Sequence, residues 1–379
     1  ERVFRMGIHC LQIIEGADMQ EPLAACDLII DALLGTGVKG AVTGLAADVI
    51  ELINESGKPV LSIDLPSGVN ADTGELDGPC VHAIETVTLG LPKIGVVTYP
   101  AAKYVGELAV ADIGIPTTLI DNMDLKLELL TDEMVSERLP VRDSDAHKGT
   151  FGHLAVFAGS VGMTGAAYLA SEAAARVGAG LVTLGCPCSL NDILEIKLTE
   201  VMTVPLPETP ARSLSINAVD QAIALLKTRN SVAIGPGLGT DPDTVRFVRS
   251  ILPQIDQPMV IDADGLNALA DDTDILSQLK APAVITPHPG EMSRLLGTSS
   301  AIIQSDRLKA AIEAAARFGT VVVLKGAGTV IAAPDGRAFI NPTGNAGMAS
   351  GGMGDVLTGA IGGFLAQGLS ALDAAICGV

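Results

Sequence analysis

Residues 347–359 read GMASGGMGDVLTG: four glycines, then a single carboxylate, Asp355, leading into an apolar helical pattern (Val356, Leu357, Ala360, Ile361, Phe364, Leu365). The first turn of a helix leaves its N–H groups unpaired and its end electropositive. Glycines let a phosphate approach those groups closely. An acid in such a cradle is badly placed to hold phosphate and well placed to take a proton from a hydroxyl beside it. The chemistry suggested is phosphoryl transfer to a hydroxyl.

A second loop supports that reading. Lys325-Gly326-Ala327-Gly328-Thr329 lies about 30 residues upstream of Asp355, after an apolar run. A lysine beside exposed backbone N–H groups suits a nucleotide phosphate or an adenosine edge. His288, in TPHPGE (286–291), is either a helix cap or part of a binding wall made rigid by two prolines. Asp262, Asp264 and Asn267 offer oxygen ligands or a cleft wall; strand-end and capping roles fit them equally well. Gly235-Pro236-Gly237-Leu238-Gly239 is too short for a dinucleotide fingerprint and points to close backbone approach to a ligand. In the first part of the chain, Asp31 and Asp64 sit at adjacent expected strand ends, and Asp64 opens a DLPSG turn (64–68). Lys39, in GTGVKG (35–40), could neutralise a phosphate or move a proton, or be an ordinary exposed loop lysine.

The elements that must position these residues are short apolar runs alternating with helical patterns. Strands are expected at 27–34, 58–65, 85–89 and 106–112, with a helix at 44–55. After a Pro- and charge-rich stretch, a second run starts at Phe151, with strands at 153–158, 180–184, 231–234, 259–262, 283–285 and 321–324. Helices are expected at 164–177, 217–226 and 305–318, and a hairpin around Pro334-Asp335-Gly336. Such alternation predicts parallel sheets with helices on both faces, and ligands at the carboxyl ends of the strands. The division is placed at 1–120 and 121–379, with a linker near 118–128.

Composition narrows the partners. The chain has 379 residues, 24 Lys plus Arg against 44 Asp plus Glu, and a net charge of -20. That surface repels nucleic acid and anionic membranes. No apolar run reaches the length of a membrane span, and the first residues, ERVFRMGIHC, lack the pattern of a signal peptide. The six cysteines show no zinc-site spacing and are expected to be reduced thiols of a cytoplasmic protein. The chain starts at Glu1 and ends at Val379 within an Ala-rich helical pattern, so a fragment of a longer chain is expected.

Taken together, the motifs resemble the bifunctional NAD(P)H-hydrate repair enzymes, which join an NAD(P)HX epimerase domain to an ADP- or ATP-dependent NAD(P)HX dehydratase domain. The second-half motifs that carry the resemblance are HKGTFGHLAVFAGSVGMTGAA (147–167), GPGLG (235–239), DADGLNAL (262–269), TPHPGE (286–291), KGAGT (325–329) and NPTGNAGMASGGMGDVLTG (341–359). In the first half they are DALLGTGVKG (31–40) and SIDLPSGVNADTG (62–74).

The resemblance implies a partial Rossmann-like epimerase domain followed by a ribokinase-like three-layer α/β/α domain. It implies NADHX and NADPHX as substrates, ADP or ATP with Mg2+ as phosphoryl donor, K+ in the first domain, and a homo-oligomer. It also implies residue roles. Asp355 resembles the catalytic base. Lys325, Gly326, Ala327, Gly328, Thr329 and Gly354 resemble the nucleotide site, and Ala166, Gly237 and His288 resemble hydrate-binding positions. In the first domain, Gly35, Thr36, Gly37, Val38, Lys39, Gly40, Ala41 and Asp64 resemble substrate contacts. Lys39 with Asp64 resembles the epimerisation pair, and Asp31 and Ser67 resemble potassium ligands. The family's epimerase domain usually carries an Asn-Asn-Gly-Gly-Asp-Gly loop, which residues 1–30 do not contain, and Met353 stands where the family often has Thr or Ala. A ribokinase-class small-molecule kinase would share the cradle and the acid, and a non-catalytic nucleotide sensor would share the loops alone.

Overall fold

A computed structural model describes residues 5–379. The chain divides into two compact units, Glu1–Leu125 and Lys126–Val379.

The first unit holds a four-stranded parallel sheet in sequential order: β1 (Ile29–Asp31), β2 (Val60–Ile63), β3 (Glu85–Leu89) and β4 (Glu107–Ala111). Helix α1 (Leu45–Glu55) buries Val49, Ile50 and Ile53 in a cluster with Val60 and Val81. A separate cluster of Leu65, Val69, Val96 and Val105 packs beneath the loops that follow β2 and β3.

The second unit is a ten-stranded sheet. Its strands are β5 (Leu127–Leu129), β6 (His153–Phe157), β7 (Leu181–Pro187), β8 (Met202–Leu206), β9 (Ser231–Ile234), β10 (Met259–Ile261), β11 (Ala283–Ile285), β12 (Val321–Leu324), β13 (Val330–Ala332) and β14 (Ala338–Ile340). They run in the order β5-β14-β13-β12-β11-β10-β9-β6-β7-β8. All neighbours are parallel except β12 with β13 and β13 with β14, the hairpin around Asp335. Both faces are covered, so the strands are apolar throughout and alternate residues feed two cores. Ala155, Phe157, Val232, Ile234, Met259 and Ile261 point into one. Leu154, Val156, Ala233 and Val260 point into the other, with Ala167, Ala170, Ile361 and Phe364.

The last four come from two helices, α2 (Thr164–Arg176) and, in chain order after α3 (Pro289–Leu296) and α4 (Arg307–Phe318), α5 (Met353–Ala366). Helices α2 and α5 pack nearly backbone to backbone: a Cβ at Gly359 would stand 2.0 Å from the Ala170 carbonyl oxygen. This is the three-layer α/β/α arrangement. The carboxyl ends of β9, β10, β11 and β12 lead into the four loops singled out in the sequence.

Candidate active sites

The first turn of α5 has no side-chain cap; its N-cap, Gly352, takes φ 96, which glycine adopts without strain. Against this turn lies a charged cluster built from three strand ends. Asp262, directly after β10, is 1% exposed. Its Oδ1 lies 2.6 Å from Lys325 Nζ, and its Oδ2 accepts a hydrogen bond from Thr358 Oγ1 at 2.7 Å. Thr358 Oγ1 also lies 3.1 Å from the Gly354 carbonyl oxygen. Glu291 approaches Lys325 Nζ at 3.8 Å. A Cβ at Gly354 would stand 3.4 Å from that same ammonium, so Lys325 sits beside the start of α5.

Asp355 is half-buried there. Burial pushes its carboxyl up to about 6, the Asp262 and Asp264 charges add to the rise, and Lys325 opposes it. A carboxylate so perturbed is ionised at neutral pH yet basic enough to accept a proton.

The neighbouring loops are tied to this cluster. A Cβ at Gly235 would stand 1.8 Å from the Asp262 carbonyl oxygen, so the GPGLG loop runs directly against the end of β10. Asp264 accepts from Gly239 N at 2.8 Å and from Asn267 Nδ2 at 3.1 Å. Between the two acids Ala263 takes φ 49, an unusual conformation for a residue with a side chain. Gly237 lies against the second helix: a Cβ there would stand 2.9 Å from the Ala166 methyl. His288 is the N-cap of α3. Its Nδ1 accepts from Gly290 N at 3.0 Å and Glu291 N at 3.3 Å, while Glu291 Oε2 accepts from His288 N at 2.8 Å. With Nδ1 accepting, the ring proton belongs on Nε2, which faces Glu291 Oε1 at 3.3 Å. The imidazole is still half-exposed, so capping leaves it an open face.

In the first unit, Asp31 at the end of β1 is 2% exposed. Its carboxylate accepts from Ser67 Oγ at 2.6 Å, Ser67 N at 2.8 Å and Ser62 Oγ at 2.9 Å. Ser67 Oγ in turn accepts from Leu34 N at 2.8 Å, tying the Gly35–Ala41 loop to the DLPSG turn. Asp64 follows β2 with φ 72. Its Oδ1 is paired with Lys93 Nζ and accepts from Leu89 N at 3.0 Å. Burial pushes the Asp64 carboxyl up, but the hydrogen bonds from Lys93 and Leu89 and the Lys93 charge outweigh it and hold it below its usual range. Among the described residues no three or more His, Cys, Asp or Glu side chains converge as a metal site.

Comparison with known proteins separates the same two units. A family described as NAD(P)H-hydrate dehydratase matches residues 154–379, and one described as YjeF-related protein N-terminus matches residues 1–95. The bifunctional NAD(P)H-hydrate repair enzyme of Moorella thermoacetica is 49% identical over 377 residues, 99% of this chain and 71% of that protein. This chain belongs to the bifunctional NAD(P)H-hydrate repair enzymes. A crystal structure of the ADP/ATP-dependent NAD(P)H-hydrate dehydratase of Bacillus subtilis, co-crystallised with ATP and Mg2+, matches with a TM-score of 0.58. It is 36% identical and covers 68% of this chain and 86% of that one. A ribokinase-like superfamily protein of Enterococcus faecalis also gives a TM-score of 0.58, at 29% identity, covering 67% of this chain and 84% of its own.

Within this repair-enzyme fold, the structure gathers Asp355, Gly354, Lys325, Asp262 and Glu291 into one cluster, and Ala166 with Gly237 into another contact. It does not gather Lys39 with Asp64. The resemblance makes Lys39 and Asp64 an epimerisation pair; in the structure Lys39 is 77% exposed and its ammonium lies 3.9 Å from Asp72. The ammonium on Asp64 is that of Lys93. Lys39 extends from an exposed loop, whereas Lys93 starts the turn after β3 and reaches back over the sheet edge. Sequence reasoning also passed over Thr358 and Ser62, hydroxyls that satisfy buried carboxylates. Thr358 had one legible signal: it lies one helical turn after Gly354.

Proposed function

We propose that this chain repairs hydrated nicotinamide cofactors, NADHX and NADPHX. Its second unit removes water with the help of a nucleoside di- or triphosphate, and its first unit interconverts the epimers. The observation that carries the proposal is the raised carboxyl of Asp355 at an uncapped, glycine-rich helix start, beside Lys325.

In the second unit, Asp355 takes the proton of the hydrate hydroxyl as that oxygen bonds to the terminal phosphorus of the donor and the bond from that phosphorus to its bridging oxygen breaks, releasing the nucleotide one phosphate shorter. The N–H groups at the start of α5 and the Lys325 ammonium stabilise charge on the transferring group. Loss of phosphate from the carbon, with loss of a neighbouring proton, restores the ring double bond. Ala166, Gly237 and the open face of His288 line the hydrate side; the 325–329 loop and Gly354 line the nucleotide side. Mg2+ bound with the donor would neutralise phosphate charge. Asp262 and Glu291, which converge on Lys325, are the carboxylates that would hold it, in exchange for their present partners.

In the first unit, Asp64, kept ionised by Lys93, is the proton acceptor for epimerisation, with Gly35–Ala41 as substrate loop. Lys39, at the solvent end of that loop, is free to meet the substrate phosphates. Asp31 and Ser67 supply oxygens of the kind that would hold K+, and here they hydrogen-bond to each other at 2.6 Å.

The test is Asp355→Asn assayed by NADH formation from NADHX and by ADP binding. Turnover should fall by about 10²–10⁴-fold with ADP binding retained; unchanged turnover rejects the base. Phosphorylated alcohol accumulating in place of NADH and free phosphate would mark a kinase instead.

A further inference from the structure

The loop 325–329 has an internal support that none of its own residues supplies. Arg307, the first residue of α4, reaches under the loop. Its Nη2 donates to the Leu324 carbonyl oxygen at 2.9 Å and its Nη1 donates to the Ala327 carbonyl oxygen. Thr329 Oγ1 holds the Gly326 carbonyl at 2.9 Å, and Lys325 N donates to the Pro287 carbonyl at 3.0 Å. The carbonyls of Leu324, Gly326 and Ala327 are therefore each held by a side chain. The corresponding N–H groups of Gly326, Ala327 and Gly328 find no acceptor among the described residues. Gly326 takes φ +148, and a Cβ there would stand 2.8 Å from Arg307 Nη2, so the glycine is what lets the guanidinium this close. Arg307 Nε is buried without a partner, which means the side chain is held by the two carbonyls alone.

We infer that Arg307 is the positioning residue of the nucleotide loop: it captures the loop's carbonyls so that its amides face outward as a ready-made anion cradle. This rests on the assignment of residues 325–329 to the nucleotide. A backbone amide cluster binds anions only if its carbonyls are turned away. A loop left free to rotate its peptides would lose that alignment and have to restore it on binding. A planar fork can span two carbonyls at once, which a single ammonium on a flexible stem cannot. Among the described residues Arg307 forms no hydrogen bond or ion pair with Asp262, Glu291 or Asp355, so its influence reaches the charged cluster only through the loop that carries Lys325.

Arg307→Met and Arg307→Lys, with Thr329→Val as a milder change to the same framework, test this by titration of ADP with Mg2+ and by steady-state kinetics. Both Arg307 variants should weaken ADP binding and raise the nucleotide KM by about tenfold, with Lys failing to rescue. The KM for NADHX and the kcat at saturating nucleotide should stay within about twofold of wild type, a split that general misfolding would not produce. Thr329→Val should shift the nucleotide KM in the same direction and by less. Lys325→Met is the control. If it weakens ADP binding while both Arg307 variants bind as wild type does, the positioning role is overturned and the loop assignment stands. If neither change affects ADP, the assignment falls and the positioning role with it.

Discussion

Asp355 owes its chemistry to what surrounds it rather than to its identity. A carboxyl brought up to about 6 predicts that dehydration falls on the acid side of that value, measurable as the acid limb of kcat against pH. The same shift costs stability. Because the native carboxyl is raised from 3.8, the native state holds the proton more tightly, and that contribution, present below 3.8, is lost as pH rises through about 6. Asp355→Asn should therefore raise the unfolding free energy at pH 8 by about 1 kcal/mol after allowing for partial exposure, and leave it near wild type at pH 4, read from denaturant midpoints. Lys93 works in the opposite sense on Asp64. Lys93→Met should move the acid limb of epimerisation upward, whereas Lys39→Met should leave that limb in place. The sequence exposed Asp355, Lys325 and Asp64 because glycine-rich or proline-rich turns frame them. It did not expose Lys93 or Arg307, whose partners are 29 and 17 residues or more away and depend on how strands stack.

At the scale of elements, strands at 231–234, 283–285 and 321–324 stand where the apolar runs place them, because both faces are buried and nothing interrupts the run. Two elements were not legible in that way. β8 contains Pro205, is partly exposed and lies at the sheet edge, so neither run nor alternation marks it. The helix Pro242–Ile251 announces itself by an Asp241 cap and a proline at its start, a signal in the sequence that apolar spacing alone does not weigh. The helix expected over 305–318 begins at Arg307, because Asp306 takes φ -147 and caps it. That one-residue break is what places Arg307 in the first turn, facing the loop. Packing between α2 and α5 leaves no room for a side chain at 359, so Gly359→Ala should destabilise the second unit by about 1–3 kcal/mol, read from denaturant midpoints.

For the whole molecule, two compact units and two separate family matches predict separable activities. Residues 126–379 expressed alone should retain nucleotide-dependent dehydration of NADHX; loss of activity in a folded fragment would show that the first unit completes the site. The net charge of -20 opposes the approach of anionic nucleotides and cofactors. Raising ionic strength should therefore increase kcat/KM before it weakens binding in the site, an inversion of the usual salt dependence of charged partners.

The contact between Gly359 and Ala170 sets a fixed gauge within the second unit. One helix carries Ala166, the proposed hydrate contact, and the other Asp355, the proposed base, and at Gly359 they approach so closely that a Cβ would stand 2.0 Å from the Ala170 carbonyl oxygen. The span between Ala166 and Asp355, the proposed hydrate wall and base, is thus written in peptide geometry. Drift elsewhere in the core can change how tightly the unit holds together without altering that reach, and relatives that handle larger or smaller substrates would have to adjust the lining rather than the spacing.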